Sequence, residues 1–390
     1  MLRYLTAGES HGPSLTAIIE GLPANLPIDI DAVNHQLWRR QQGHGRGFRM
    51  KIESDTIELL SGVRFQKTIG TPVALLVKNR DYKNWVSRMD PAADRPADVP
   101  LVTKPRPGHA DLSGYLKYEL DDVRDVLERA SARNTATLVA VGAIARQLLA
   151  AFGIRLFSHV VQIGKQSVQR SNLESLTIEQ IAHSAEASPV RAADKDAEAA
   201  MMAEIDQAKV AGDTVGGVFE IVVTGVPVGL GSYAMPDRRL DALLAGALMG
   251  IQAIKGVEIG LGFATAGLPG SRVHDAIYHG AENGYYRDTN GAGGIEGGVS
   301  NGEPIVVRAA MKPIPTLYKP LDSVDVVTKE AFVAAIERSD ACAVPAAAVV
   351  GENVTAFVIA QAFVEKFGGD SLQEMERNYN SYLQRVKERS

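Results

Sequence analysis

The sequence predicts an α+β fold, with helices and strands mixed and without the regular strand–helix alternation that a parallel sheet requires. Two kinds of segment carry that expectation. Apolar residues spaced three and four apart mark buried helices, and short β-branched or alternating runs mark strands between them. No internal repeat or low-complexity tract divides the 390 residues, which are long enough for two ordinary domains or one large elaborated one.

The elements follow in chain order. A short apolar segment leads into the turn Gly8-Glu9-Ser10-His11-Gly12, which presents a histidine, and 15–20 reads as a strand ended by Gly21-Leu22-Pro23. A helix over 31–40 precedes strand-like runs at 50–54, 56–61 and 72–77. Residues 80–108, rich in proline and charge, form a long irregular connection of the kind that is usually functional. Leu138, Val141, Ala145, Leu148 and Phe152 make one buried helix face. Leu240, Leu243, Leu244, Ala247, Leu248, Ile251 and Ile254 make a second. The run 346–362 is apolar nearly all round and belongs deep in the core. Strands are clearest at 218–224 and 305–311. The polar, charged stretch 188–212, stopped by Gly212, reads as an exposed helical excursion.

Arginine and histidine crowd into two glycine- and proline-rich stretches. One runs from Arg39 through Gly43, His44, Gly45, Arg46 and Gly47 to Arg49; the other is Lys104-Pro105-Arg106-Pro107-Gly108-His109-Ala110-Asp111. Such sequences make loops that hold side chains out, and the guanidinium fork matches carboxylate and phosphate. A solvated basic loop accounts for either stretch alone; two, each with a histidine beside glycine, point to a pocket for a small, highly anionic molecule. The net charge of -5 opposes nucleic acid and anionic membrane, so the field is local. Cys342, the single cysteine, cannot form an internal disulfide, and no Cys/His spacing resembles a zinc site. The N-terminus lacks a signal-peptide core and no apolar run reaches membrane-spanning length, so a cytoplasmic protein is expected.

Other motifs are less specific. The glycine-dense run 291–302 lacks the dinucleotide register, though it allows close backbone approach to a flat or phosphorylated ligand. Ser10 beside His11 is no catalytic pair by spacing, because adjacent residues rarely place their side chains for proton transfer. Arg338 and Asp340 close an amphipathic helix, where a surface pair is the ordinary alternative to a catalytic role. Lys312-Pro313-Ile314-Pro315-Thr316 must be an extended, stiff loop.

Taken in order, these segments resemble the chorismate synthase family. The matching blocks are GESHG at 8–12, RRQQGHGRGFRMKIE at 39–53, PRPGHAD at 105–111, ERASAR at 128–133, GGVSNGEPIVVRAAMKPIPT at 297–316 and ERSD at 337–340. The resemblance runs from end to end. It implies a single domain over 1–390, helices sandwiched between antiparallel β-sheets, a homotetramer, and loss of phosphate from 5-enolpyruvylshikimate 3-phosphate in a 1,4-elimination giving chorismate. It also implies reduced FMN without net redox change, with NADPH as a possible reductant. By the same resemblance His11, His109 and Asp340 are catalytic. Arg46, Arg49, Arg106, Arg133 and Arg338 grip substrate anions or the flavin phosphate. Arg40 and Arg46 belong to NADP where it is used, and the flavin touches Arg129, Ala130, Ser131, Gln252, Ala253, Gly297, Lys312, Pro313, Ile314, Pro315, Thr316 and Arg338.

This chain departs from the family pattern at Ala130, where many relatives have serine, and at Ala341, where proline is common and its loss is expected to loosen the turn. His44 is not counted as catalytic. Two rivals stay open on the residues alone. A non-catalytic binding module for a phosphorylated metabolite explains the arginines but gives His11, His109 and Asp340 no shared purpose. An RNA-binding protein conflicts with the net charge and with basic loops that lack interleaved aromatics.

Overall fold

Two helices, Thr135–Ala151 and Val344–Phe367, are apolar on almost every side, and they lie against each other at the centre of the molecule. A Cβ at Gly142 would stand 2.1 Å from the Asn353 carbonyl oxygen, so only glycine permits this approach. The computed structural model describes residues 1–47, 54–281, 284–333 and 340–389.

A four-stranded antiparallel sheet covers one side of the helical layer, in the order Arg3–Ala7, Ser14–Glu20, Val73–Lys78, Ile57–Leu59. Its strands alternate as half-buried strands must: Leu15, Ala17 and Ile19 face the helices and pair with Val77, Leu75 and Val73. A five-stranded antiparallel sheet covers the other side, in the order Ile254–Ile259, Ile305–Met311, Gly217–Thr224, Arg155–Ile163, Gln166–Ser167. It presents Phe219, Ile221, Val223, Ile305 and Val307 inward. The expected α+β class, with helices between antiparallel sheets, is what the chain adopts.

Most expected elements form: Ser14–Glu20, Ile30–Gln41 capped by Asp29, Ile57–Leu59, Val73–Lys78, Gly217–Thr224 and Ile305–Met311. The strand expected at 50–54 falls almost wholly outside the described residues, as does the helix end at Arg338, which follows the strand Ala331–Val333. Three expectations need correction. The helix expected over 240–254 stops at Met249; Gly250 follows, Ala253 takes a positive φ of 68°, and Ile254 opens a strand. The 188–212 stretch is no free excursion. Its helix, Lys195–Val210, buries Ala197, Met201, Ile205 and Ala208 at helical spacing. An apolar run of membrane-spanning length does exist: Val344–Phe367 has 24 residues, its most apolar window has a mean hydropathy of 1.6, and 94% of that window is buried by protein. The connection 80–108 carries two 3-10 turns, Arg80–Asn84 and Val86–Arg88.

Candidate active site

The helix Lys195–Val210 braces the first basic loop from behind. Gly45, at φ 84°, has Ile205 so close that a Cβ would sit 2.7 Å from its methyl group. His44 donates its backbone N–H to Pro189 O at 2.8 Å and pairs through Nε2 with Asp206 at 2.8 Å, so it is spent on anchoring the loop. Across the loop, the Ala341 N–H donates to Gly45 O at 2.9 Å, a bond that proline could not make. Alanine at 341 therefore ties this turn down, against the loosening expected from the sequence.

The loop opens on a cavity of about 740 Å³ at the N-terminal ends of both central helices. Helix N-termini carry partial positive charge and favour anions. His11, Arg40, Arg46, Arg106, His109, Ala130, Ser131, Arg133, Gln252, Ala253, Lys312, Ile314, Pro315, Thr316 and Asp340 all line it. Three expected ligands do not. Arg129 is exposed and clamps the chain instead, donating to Thr6 O at 3.0 Å, Gly8 O at 3.3 Å and Asn134 Oδ1 at 2.9 Å. Gly297 is the exposed turn, φ 59°, of the hairpin Ile295–Glu296/Val299–Ser300, and Pro313 is exposed within its loop. Arg49 and Arg338 lie outside the described residues.

Cations crowd this cavity. Arg40, Arg46, Arg106, Arg124, Arg133 and Lys312 line it. Among the described residues, carboxylates that meet them are Asp340 on the wall, and Asp55, Asp111 and Glu128 behind it. Asp55 is shared, meeting Arg40 and Arg133 at 2.6 Å each. Burial works against its ionisation, yet Arg40 and Arg133 hold it below the usual carboxylate range. Arg40 pays in the other direction. Burial, reinforced by Arg133 and Arg46 and only partly offset by Asp55, pushes its guanidinium below the ordinary value, and its Nε has no hydrogen-bond partner. A site that holds a cation under this strain is ready for an anion.

Each histidine leans on a carboxylate. His11 donates its backbone N–H to Glu128 Oε2 at 2.8 Å and places Nδ1 2.8 Å from Oε1. Trp85, delivered by the 80–108 connection, covers the His11 ring with centroids 4.1 Å apart. His109 places Nδ1 against Asp111, which also takes Arg106 Nε at 2.9 Å and the Arg106 backbone N–H at 3.0 Å. Burial opposes the charge on Asp111, but His109 and Arg106 hold it well below the usual range. Asp340 takes Arg46 at 2.6 Å and the Gly47 N–H at 2.5 Å, and remains partly exposed to the cavity. Ser10 turns its hydroxyl to Ser131 Oγ at 3.1 Å, away from any triad geometry.

The remaining wall is apolar: Ala343, Ala346, Ala347 and Val350 form one face at the start of the helix Val344–Phe367. Small side chains there admit a flat ring. At the rim, Gln252 Oε1 is buried without a hydrogen-bond partner, an acceptor a ring N–H can satisfy. Sequence reasoning missed Trp85, Asp55, Glu128, Asp111 and Arg124. Two of them stood inside the motifs already singled out, Glu128 in ERASAR and Asp111 in PRPGHAD.

A family model described as chorismate synthase matches residues 2–364. A chorismate synthase of Geobacter metallireducens is 60% identical over 390 residues, covering 98% of each chain. One of Desulforamulus reducens is 57% identical over 388 residues, covering 100% of both. A solved structure described as a crystal structure of chorismate synthase superposes with a TM-score of 0.80 at 44% identity, covering 99% of this chain and 98% of that one.

Proposed function

Because this chain belongs to the chorismate synthase family and has its lyase activity, we propose that the cavity holds 5-enolpyruvylshikimate 3-phosphate together with reduced FMN. The carrying observation is the gathering of Arg40, Arg46, Arg106, Arg124, Arg133 and Lys312 around one cavity with an apolar face. The substrate brings a phosphate and two carboxylates, and arginine forks meet such groups in a water-poor pocket at full strength.

The residues present suit the flavin. The alanine face from 343 to 350 would accept its ring, Gln252 and Ala253 its polar edge, and Lys312 to Thr316 its flank. Bound there, reduced FMN supplies the electron density that helps expel phosphate from an allylic carbon. The side chains do the rest. Arg46, Arg106 and Arg133 hold the substrate anions and stabilise the leaving phosphate as charge gathers on it. His11 and His109, each backed by an ionised carboxylate, give or take protons through the ring nitrogen that carboxylate leaves over. Asp340 keeps lone pairs beyond its bonds to Arg46 and Gly47, and serves as the acceptor of the ring proton. Trp85 and the apolar wall exclude water.

Arg40 and Arg46 would meet the NADPH phosphate if this chain reduces its own flavin. A cytoplasmic homotetramer of single-domain subunits completes the proposal. The binding-module alternative is not favoured, since near-complete relatives at 53–60% identity are chorismate synthases. Anaerobic incubation with substrate and reduced FMN should release phosphate and form chorismate in step. Full-rate chorismate formation without flavin would overturn the cofactor assignment.

A further inference from the structure

Glu128 presents two oxygens to a single residue. Oε2 accepts the His11 backbone N–H at 2.8 Å, and Oε1 lies 2.8 Å from His11 Nδ1. The carboxylate is 2% exposed; burial disfavours its charge, but the bonds to His11 and the nearby Arg124 hold it ionised below the usual range. An ionised carboxylate only accepts, so the proton on a neutral His11 ring belongs on Nδ1 and the lone pair on Nε2. His109 is not fixed this way, because its Nδ1 meets both an acceptor, Asp111, and a donor, Arg106 NH2 at 3.1 Å.

The groups facing His11 agree with this assignment. Arg124 lies 3.4 Å from Glu128 Oε1 and 5.1 Å from the Trp85 ring centre, and Arg88 lies 5.7 Å from that ring. Asp81 accepts the Trp85 indole N–H at 3.0 Å, and Glu9 sits in the same turn as His11. None of these reaches Nδ1, so among the described residues Glu128 alone sets the tautomer.

We propose that Glu128 is a positioning residue that holds His11 as its Nδ1–H tautomer, making Nε2 the atom that gives and retakes a proton at the cavity. The consequence for turnover rests on the flavin-dependent reading above; the tautomer itself does not.

Glu128→Gln separates this from a packing role. Glutamine keeps the shape but offers one acceptor where two donors converge. The backbone N–H cannot change, so the amide oxygen goes to the Oε2 position, 3.1 Å from Nδ1, and the NH2 group takes the nearer Oε1 position at 2.8 Å, where a donor favours the ring proton on Nε2. The measurement is solid-state 15N NMR of protein labelled at its histidine rings, without flavin or substrate, at a pH where the rings are neutral. The His11 signals are those lost in His11→Asn.

Wild type should carry its proton on Nδ1 and Glu128→Gln on Nε2, while Glu128→Asp, which keeps two acceptors, should retain Nδ1–H. Turnover of Glu128→Gln should fall on the order of 10²-fold with FMN affinity within about threefold. A wild-type ring protonated on Nε2 would overturn the proposal even if Glu128→Gln failed to fold. So would a Glu128→Gln protein whose tautomer flips while its turnover stays at the wild-type rate. A flavin-independent enzyme with the Nδ1–H tautomer would instead sink only the cofactor reading.

Discussion

Arg39 and Arg40 are consecutive, both buried, and both at the end of the helix Ile30–Gln41, yet they meet opposite environments. Arg39 points into a closed ion cluster. It donates to Glu186 at 2.8 and 2.7 Å and to Glu352 at 2.9 and 3.2 Å, while Arg146, Ser158 and Arg191 surround the same carboxylates. Burial opposes its charge, but Glu352 and Glu186 more than compensate and raise its guanidinium above the ordinary value. Arg40 shares one carboxylate with Arg133, and its guanidinium is pushed the other way. The difference sets the two arginines apart: a satisfied cation holds the fold, and an under-compensated one on a cavity wall is the one we propose to meet a ligand.

The largest effect should come from the satisfied side. Arg39→Met strips Glu186 and Glu352 of four bonds and leaves buried carboxylate charge behind, a loss of about 3–5 kcal/mol in urea melts. A cost below about 1 kcal/mol would erase the contrast. The cluster also sets an acid limit. Glu186 is held at about 2, below its ordinary 4.5, by Arg39 and Arg191 against the pull of burial, and Glu352 is held lower still. A depressed carboxyl stabilises above its unfolded value and loses that contribution as pH falls toward the folded one. Wild-type stability should therefore drop between about pH 4.5 and 2, and Arg39→Met should show a shallower slope there.

The same contrast holds for carboxylates. Glu352 is fully buried among donors, whereas Asp340 faces the cavity with two. Asp340→Asn should bind FMN and substrate, melt within about 1 kcal/mol of wild type, and lose about 10²–10⁴-fold in kcat. A wild-type kcat would end the catalytic assignment.

Arg40→Met sharpens the comparison from the ligand side. Asp55 keeps Arg133, and Met fills the buried stem, so stability should change by less than about 1 kcal/mol. Affinity for an anionic ligand should fall by about 2–3 kcal/mol. Calorimetry with substrate, FMN and NADPH in turn identifies whose anion Arg40 meets. Less than twofold change for all three would mean that its strain serves no ligand.

Much of this was legible in the chain. Helical spacing located the helix Thr135–Ala151, a nearly unbroken apolar run located Val344–Phe367, and short apolar runs located the strands Ser14–Glu20 and Ile305–Met311, because core burial leaves its record in the chain. The basic loops pointed to a shared pocket through residue types alone, and Arg40, Arg46, Arg106 and His109 of those loops line one cavity. What stayed hidden depends on distance in three dimensions. Asp55 and Glu128 look like any surface acid until the fold brings them to Arg133 and His11. Ile254 continues the helical pattern of Leu240 to Ile251, and only the turn at Gly250–Ala253 reveals that it belongs to a strand.

A third arginine tests how far resemblance can stand in for geometry. Family likeness sends Arg129 to the flavin, but its guanidinium is occupied with Thr6, Gly8 and Asn134, on the side of the helix Val123–Ala130 away from the cavity lining. Those bonds tie that helix to the first strand and to the turn that carries His11. Arg129→Gln should thus cost about 1 kcal/mol of stability, the net worth of a few partly exposed hydrogen bonds. FMN affinity should stay within about twofold, since the guanidinium is already bonded to Thr6, Gly8 and Asn134. Thermal melts beside fluorescence titration of FMN decide it. A tenfold loss of flavin affinity with an unchanged melt would show that Arg129 swings into the cavity when the cofactor binds, and would put it in the class of Arg40.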